Sequence, residues 1–310
     1  MLPPNIKIDR KSVTCVFNEL GPTPRLCIEY LGAGLIDRYR RDLEKAISNL
    51  TISQLETLYR DFRSLSGGVD KFSHMICLLT RHDRENVNRD VIVSPITSFI
   101  ESKLGKHSRT LKDEELIRLY DLFSKDPESR KMSGVFFEII ARRRFREGGV
   151  ELKFIPMVRL PFNRWWKTSH ISLSDKKLED LRQDALQQEE LLIIPSSIPI
   201  HVFEGDGPQS IESNIIYVPE KDNQVAFDSF ILMNGSLHLF QFSISKRHSI
   251  KPGLIDFFSP YVMQVPPMDE WRFIFIHPPD HLLASPQLQG EMEKLHLYSV
   301  AFDVKRTQTS

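Results

Sequence analysis

The first part of the chain has apolar residues at intervals of three and four, the spacing of one face of an α-helix. This spacing recurs in several stretches between about Leu35 and Phe123. Breaks that contain glycine, asparagine or proline at 66–68, 86–90 and 94–95 separate the stretches. The pattern therefore predicts several short helices rather than one long helix.

After residue 128 the pattern changes to short apolar runs that are typical of strands. Helices are still predicted at 134–147, at 175–190 and, as a short one, at 254–262. Strands are predicted at 150–160, 192–203, 214–218, 225–233, 237–246 and 271–277. The dipeptide Asn234-Gly235 between two of these runs is the strongest short-range signal for a β-hairpin. We therefore expect an α/β (α+β) fold, in which a helical region precedes a mixed sheet flanked by helices.

The composition is that of an ordered globular protein without a strong overall charge. The chain has 310 residues, of which 41% are hydrophobic, and its 41 Lys and Arg balance 41 Asp and Glu. Any nucleic-acid binding therefore requires a local basic patch. Three cysteines without a C-x-x-C pair argue against a disulfide framework and against a zinc site. Reduced thiols favour an intracellular protein, and because no apolar run reaches the about 18–20 residues of a membrane span, we expect no membrane partner.

Asp228 and Gln241 are the first candidates for a functional site. Asp228 lies in the apolar run 225–233, where an ionised carboxylate is costly unless it has a hydrogen-bond or metal partner. Gln241 lies in the run after the turn, and the period of two places it on the same strand face as Ser243. Carboxylate and amide oxygens are ligands that suit Mg²⁺. The alternatives are an Asp228 that faces solvent and a Gln241 amide that binds backbone.

The helix predicted at 134–147 carries Glu138 among apolar residues and then a group of arginines. The arginines are Arg142, Arg143, Arg144 and Arg146. Glu138 and Arg142 are four residues apart and can form a surface ion pair worth about 0.3–0.5 kcal/mol. Alternatively, Glu138 binds a metal and the arginines bind phosphates. Charge runs on helices are more often solvated faces, which favours the ion pair.

Several segments after residue 130 carry a resemblance to a known family. They are Gly134-Val-Phe-Phe-Glu138, Gly148-Gly149, Tyr217-Val-Pro219, Ala226-Phe-Asp228 and Phe240-Gln-Phe-Ser-Ile-Ser-Lys-Arg-His248. As a set they resemble the nuclease domain of Crinkler and retrotransposon-hot-spot (RHS) proteins, of the PD-(D/E)xK superfamily, over about residues 131 to 280. The resemblance implies a restriction-endonuclease-like domain at 131–310. It implies that residues 1–130 are a helical region like the segment between NTPase and nuclease in longer relatives.

The same resemblance implies a metal site that uses Mg²⁺ or Mn²⁺. Its ligands would be Glu138, Asp228 and Gln241. The family places a lysine two residues after the Gln, where this chain has Ser243. Lys246 can substitute only if the strand ends or bulges before it. Such a lysine would help to orient and activate the attacking water.

Two functions are consistent with these observations. The first is a Mg²⁺-dependent DNA endonuclease-like activity, intact or degenerate, with Asp228, Gln241 and Lys246 as catalytic residues and the arginines at 142–146 bound to DNA. The second is a catalytically inactive nucleic-acid- or protein-binding effector of the same fold. Because the sequence contains no G-x-x-x-x-G-K-[ST] motif, we expect no nucleotide cofactor. By analogy with the resembling proteins, we also expect a nuclear location and a protein partner for the helical region.

Overall fold

The structure is a computed structural model of the chain. It describes residues 9–21, 35–57, 76–81, 91–125, 130–159, 165–167, 176–220, 226–244, 248–251, 253–279, 284–286 and 290–305. The chain divides into two compact units, Met1–Ile139 and Ile140–Ser310. The division falls inside one long helix, and the boundary predicted between residues 130 and 131 lies at the first turn of that helix.

The first unit contains helices between residues 35 and 123, where the apolar spacing predicts them, and also a helix before residue 35 that this spacing does not predict. They are α1 (Arg10–Leu20), α2 (Leu35–Ser48), α3 (Ser98–Ser108), α4 (Asp113–Ser124) and the first part of α5 (Arg130–Glu147). α1 begins after Asp9, whose carboxylate accepts hydrogen bonds from the N–H groups of Lys11 and Ser12 and so caps the helix. The apolar face predicted for α4 is buried against α5, since the ring of Phe123 lies 5.6 Å from that of Phe136.

A two-stranded sheet lies between these helices along the chain, and the helical spacing does not predict it. β1 (Cys77–Arg81) pairs antiparallel with β2 (Val91–Pro95), so that Thr80 lies opposite Ile92. β-Branched residues such as those of β2 favour extended backbone over helix. The prediction of helices throughout residues 35–123 is therefore wrong for these two segments.

An eight-stranded mixed sheet forms the centre of the second unit. Its strands are β3 (Val150–Pro156), β6 (Glu190–Ile194), β7 (Ile200–Phe203), β8 (Ile216–Pro219), β9 (Ser229–Met233), β10 (Ser236–Phe242), β11 (Trp271–His277) and β13 (His296–Ala301). Their order across the sheet is β6-β3-β13-β11-β10-β9-β8-β7. β10, β11 and β13 run parallel, as do β7 and β8, and the other neighbours are antiparallel. The expected α/β fold with a mixed sheet is confirmed.

Helices pack on both faces of this sheet. α5 packs through Phe145, whose ring lies 5.1 Å from that of Phe242 on β10. α7 (Gly253–Phe258) packs on the other face, in one buried cluster with Leu237 and Leu239 of β10. Alternate residues of β10 therefore face two different cores, as the period of two predicts.

β6 and β7 lie at opposite edges of the sheet although they are close along the chain. Ile194 ends β6 and Ile200 begins β7, and six residues span at most about 20–22 Å. The edges of a flat eight-stranded sheet would lie about 34 Å apart at about 4.8 Å per strand. The sheet must therefore curl so that its edges approach each other. The single strand predicted at 192–203 is wrong, because the chain turns at Pro195 and divides it into two strands.

The remaining elements lie outside the main sheet. β4 (Val158–Arg159), β5 (Trp165–Lys167) and β12 (Ala284–Pro286) form a three-stranded sheet, which the sequence pattern does not predict. α6 (Lys176–Gln187) confirms the helix predicted at 175–190. None of the helices in the described part of the chain is long and apolar enough to cross a membrane.

Candidate functional site

A tight β-hairpin brings Asp228 and Gln241 together. The dipeptide Asn234-Gly235 forms its turn with φ angles of 54° and 78°, the left-handed backbone of a type I′ turn. Ser229 of β9 lies opposite Phe240 of β10. Asp228, just before Ser229, and Gln241, just after Phe240, are therefore the next residues beyond this pair. The predicted antiparallel hairpin is confirmed. Asp228, however, lies immediately before β9 and not within a strand.

The Asp228 carboxylate accepts hydrogen bonds at both of its oxygens. Oδ2 accepts one from Gln241 Nε2 at 2.7 Å and one from the N–H of Phe242 at 2.8 Å. Oδ1 accepts one from Arg142 Nη2 at 2.5 Å, so that Asp228 and Arg142 form an ion pair. The side chains of Asp228 and Arg142 are 11% and 20% exposed. Charge-assisted hydrogen bonds thus stabilise a carboxylate that has little contact with water.

Arg142 has a partner that its spacing from Glu138 does not predict. Its guanidinium extends from α5 to the Asp228 carboxylate, 86 residues later in the sequence. The N–H of Asp228 donates to Phe240 O at 2.8 Å, which ties the segment before β9 to β10. Arg142 and the hairpin together therefore fix the position and the charge balance of Asp228.

The other charged residues predicted on α5 differ in exposure. Arg146 is exposed and Arg143 is half-buried. Arg144 is half-buried, and its Nη1 lies 3.4 Å from Glu147 Oε2. Glu138 is half-buried and belongs to the first unit. Phosphate binding by the arginines and metal binding by Glu138 remain predictions.

Ser243 occupies the position where the family resemblance places a lysine, and it is buried. The residue is 4% exposed, and its N–H donates to Ile276 O at 2.9 Å. The next residue of β11 is His277, which is fully buried and whose Nδ1 lies 2.8 Å from Pro278 O. Because a carbonyl only accepts, Nδ1–H is the donor and Nε2 of a neutral His277 carries the lone pair. A lysine at 243 would have to place its amine in this buried region.

Lys246, the predicted substitute for that lysine, lies outside the described residues. His248 is a further candidate to which the sequence pattern assigned no role. Its ring lies 5.7 Å from that of Phe275, the residue opposite Gln241 in the β10–β11 pair. Burial lowers the pKa of His248, and the negative charge of Asp228 opposes this shift. His248 therefore belongs to the surroundings of Asp228, and the sequence signal for it was its place in the resembling segment.

Asp228 and Gln241 carry oxygen atoms, the ligand type that a hard divalent cation takes. Among the residues that the structure describes, no group of three or more His, Cys, Asp or Glu side chains is arranged to hold a metal ion. Mg²⁺, however, commonly keeps several waters and binds only one or two carboxylates. Asp228 supplies one carboxylate, and Gln241 supplies an amide oxygen when its side-chain amide turns over. Oxygen donors suit magnesium better than zinc, and a metal at Asp228 remains a prediction.

Comparison with known proteins finds no family model, no curated protein and no solved structure that matches this chain. The resemblance to Crinkler and RHS proteins thus stays a prediction from the quoted sequence segments.

Proposed function

We propose that this chain is a Mg²⁺-dependent DNA phosphodiesterase with a restriction-endonuclease-like second unit. The observation that carries the proposal is the direct contact of Asp228 and Gln241 on one hairpin, at 2.7 Å. The order of elements around them also supports it, because α5 precedes the hairpin and α7 connects β10 to the parallel strand β11. Gln241 lies near the carboxyl end of β10, where this strand pairs in parallel with β11.

In this proposal Asp228 and Gln241 hold the metal. Bound there, Mg²⁺ supplies the positive charge that polarises the scissile phosphate and favours deprotonation of the attacking water. Arg143 and Arg146 bind backbone phosphates of the substrate, since guanidinium groups donate two hydrogen bonds to phosphate. Lys246 orients the attacking water, the role of the family lysine whose position Ser243 occupies in this chain.

The test is cleavage of supercoiled plasmid in Mg²⁺ or Mn²⁺, with EDTA as the blank. Asp228→Asn should reduce cleavage at least about 100-fold, and Lys246→Ala by about 10²–10⁴-fold, the range of general acid–base groups. Asp256→Asn is the matched control, because Asp256 is exposed on α7 and outside the site. Cleavage that persists in both Asp228→Asn and Lys246→Ala would overturn the proposal.

A second candidate function is nucleic-acid binding without catalysis, with the same fold. Two observations favour it: both carboxylate oxygens of Asp228 already accept protein hydrogen bonds, and Ser243 is buried where the lysine is expected. This candidate predicts salt-dependent DNA binding in EDTA and no cleavage with either metal. Arg143→Gln and Arg146→Gln should each reduce the salt slope of binding by about 1. A nuclear location and a protein partner for the helical region stay predictions under either function.

A further inference from the structure

The Arg142–Asp228 ion pair occupies the group that a metal would need. Arg142 Nη2 lies 2.5 Å from Asp228 Oδ1, and the side chains are only 20% and 11% exposed. Water therefore screens the pair less than it screens an exposed pair. α5 carries Arg142, and the hairpin positions Asp228, so that both partners belong to packed elements of the second unit.

A divalent cation and this guanidinium compete for the negative charge and the lone pairs of the carboxylate. A metal needs a lone pair of a carboxylate oxygen at about 2.0–2.1 Å for Mg²⁺. At Oδ1 it would then lie within a few ångströms of the Arg142 charge, and like charges at this separation repel strongly in a shielded site. At Oδ2 it would displace the hydrogen bonds of Gln241 and of the Phe242 N–H. Metal binding and the ion pair are therefore thermodynamically opposed.

We propose that Arg142 is a built-in counter-ion that competes with the divalent cation for Asp228 and leaves the carboxylate when the metal binds. The inference rests on the proposed function, because it assumes that Asp228 is a metal ligand. The released guanidinium is then available to a phosphate of the substrate, beside exposed Arg146 on the same helix. Because linkage is reciprocal, the ion pair lowers the affinity for metal as much as the metal weakens the ion pair.

The experiment measures Mn²⁺ binding to the full chain by isothermal titration calorimetry. Arg142→Gln should bind Mn²⁺ about tenfold more tightly than the wild type, within the 5–150-fold range of typical coupling between sites. Lys294→Gln, which removes the same charge from an exposed position of the second unit, should stay within about twofold of the wild type. Adding Asp228→Asn to Arg142→Gln should abolish the gain.

A second measurement keeps the inference testable if Arg142→Gln does not fold. Arginine side-chain NMR of the wild type should show Arg142 restrained without metal and freely exchanging at saturating Mg²⁺. Equal Mn²⁺ affinities of wild type and Arg142→Gln would refute the competition. If Asp228→Asn alone binds Mn²⁺ more weakly in the same experiment, Asp228 is still supported as a metal ligand. Unchanged Arg142 signals in a protein saturated with Mg²⁺ would refute it as well. If no variant and no wild type binds Mn²⁺, both the inference and the proposed metal site are overturned.

Discussion

Replacement of Asp228 by Asn should destabilise the second unit, because it removes the carboxylate charge that the largely buried Arg142 guanidinium binds. Removal of one partner from a buried ion pair costs about 3–5 kcal/mol. The two side chains are 11% and 20% exposed, so solvent screens part of the remaining charge and we expect about 2–4 kcal/mol. Asparagine keeps only one accepting oxygen, and it cannot serve Arg142 together with Gln241 and the Phe242 N–H.

A double-mutant cycle isolates the ion pair from these other losses. The four proteins are the wild type, Asp228→Asn, Arg142→Gln and the double variant. Because either single substitution already breaks the Arg142–Asp228 ion pair, the double variant should be more stable than the sum of the single effects predicts. We expect a coupling free energy of about 1–3 kcal/mol, as for residues in one shielded network.

The assay is urea denaturation in EDTA, followed by tryptophan fluorescence. All three tryptophans lie after residue 139, so their emission reports the unfolding of the second unit. Trp271 is buried on β11, next to the hairpin strand β10. The midpoint and slope of the transition give the free energy of unfolding of each variant.

The matched control is the Arg144–Glu147 pair on the same helix, in which Glu147 is 58% exposed. A double-mutant cycle of Arg144→Gln and Glu147→Gln should give a coupling free energy below about 0.5 kcal/mol, and this coupling should disappear at high salt. The Arg142–Asp228 coupling should persist at high salt. A coupling below about 0.5 kcal/mol for Arg142 and Asp228 would show that the pair does not stabilise this site.

Two further predictions concern the same hairpin. Burial lowers the pKa of His238 to about 4 from 6.5, so the unfolded chain takes up a proton between these values that the native chain does not. The contribution of His238 to the free energy of unfolding should therefore fall by about 3 kcal/mol as the pH falls from 7 to 4. His238→Phe should remove this loss, whereas His296→Phe, at an exposed position, should retain it. Equal dependence of the free energy of unfolding on pH in the wild type and His238→Phe, measured by urea titration, would contradict the assignment. Gly235→Ala should destabilise the unit by about 1–2 kcal/mol because φ at 235 is 78°, while Asn234→Gly should be nearly neutral. Equal thermal midpoints for Gly235→Ala and Asn234→Gly would show that the turn tolerates a side chain there.

Local sequence patterns predicted the elements whose structure depends on near neighbours. The 3.6-residue spacing identified the helical face with Phe123, because a helix side chain contacts residues three and four positions away. Asn234-Gly235 specified the hairpin, since few residues adopt two left-handed conformations in succession. Once the hairpin is known, the register set by its two-residue turn brings Asp228 and Gln241 to neighbouring positions. The contact that supports the proposed function could therefore be predicted from sequence alone.

Tertiary structure decided the features that depend on contacts between distant residues. β6 and β7 go to opposite edges of the sheet, and β13 enters its middle, because strand order is set by long-range pairing and not by the residues of each strand. The partner of Asp228 was unknown for the same reason, since Arg142 lies 86 residues away and its helix carries other arginines with the same local pattern. Sequence thus specified that Asp228 needs a partner, because a shielded carboxylate is unstable alone. Only the packing of α5 on the sheet determined that this partner is an arginine of the chain itself.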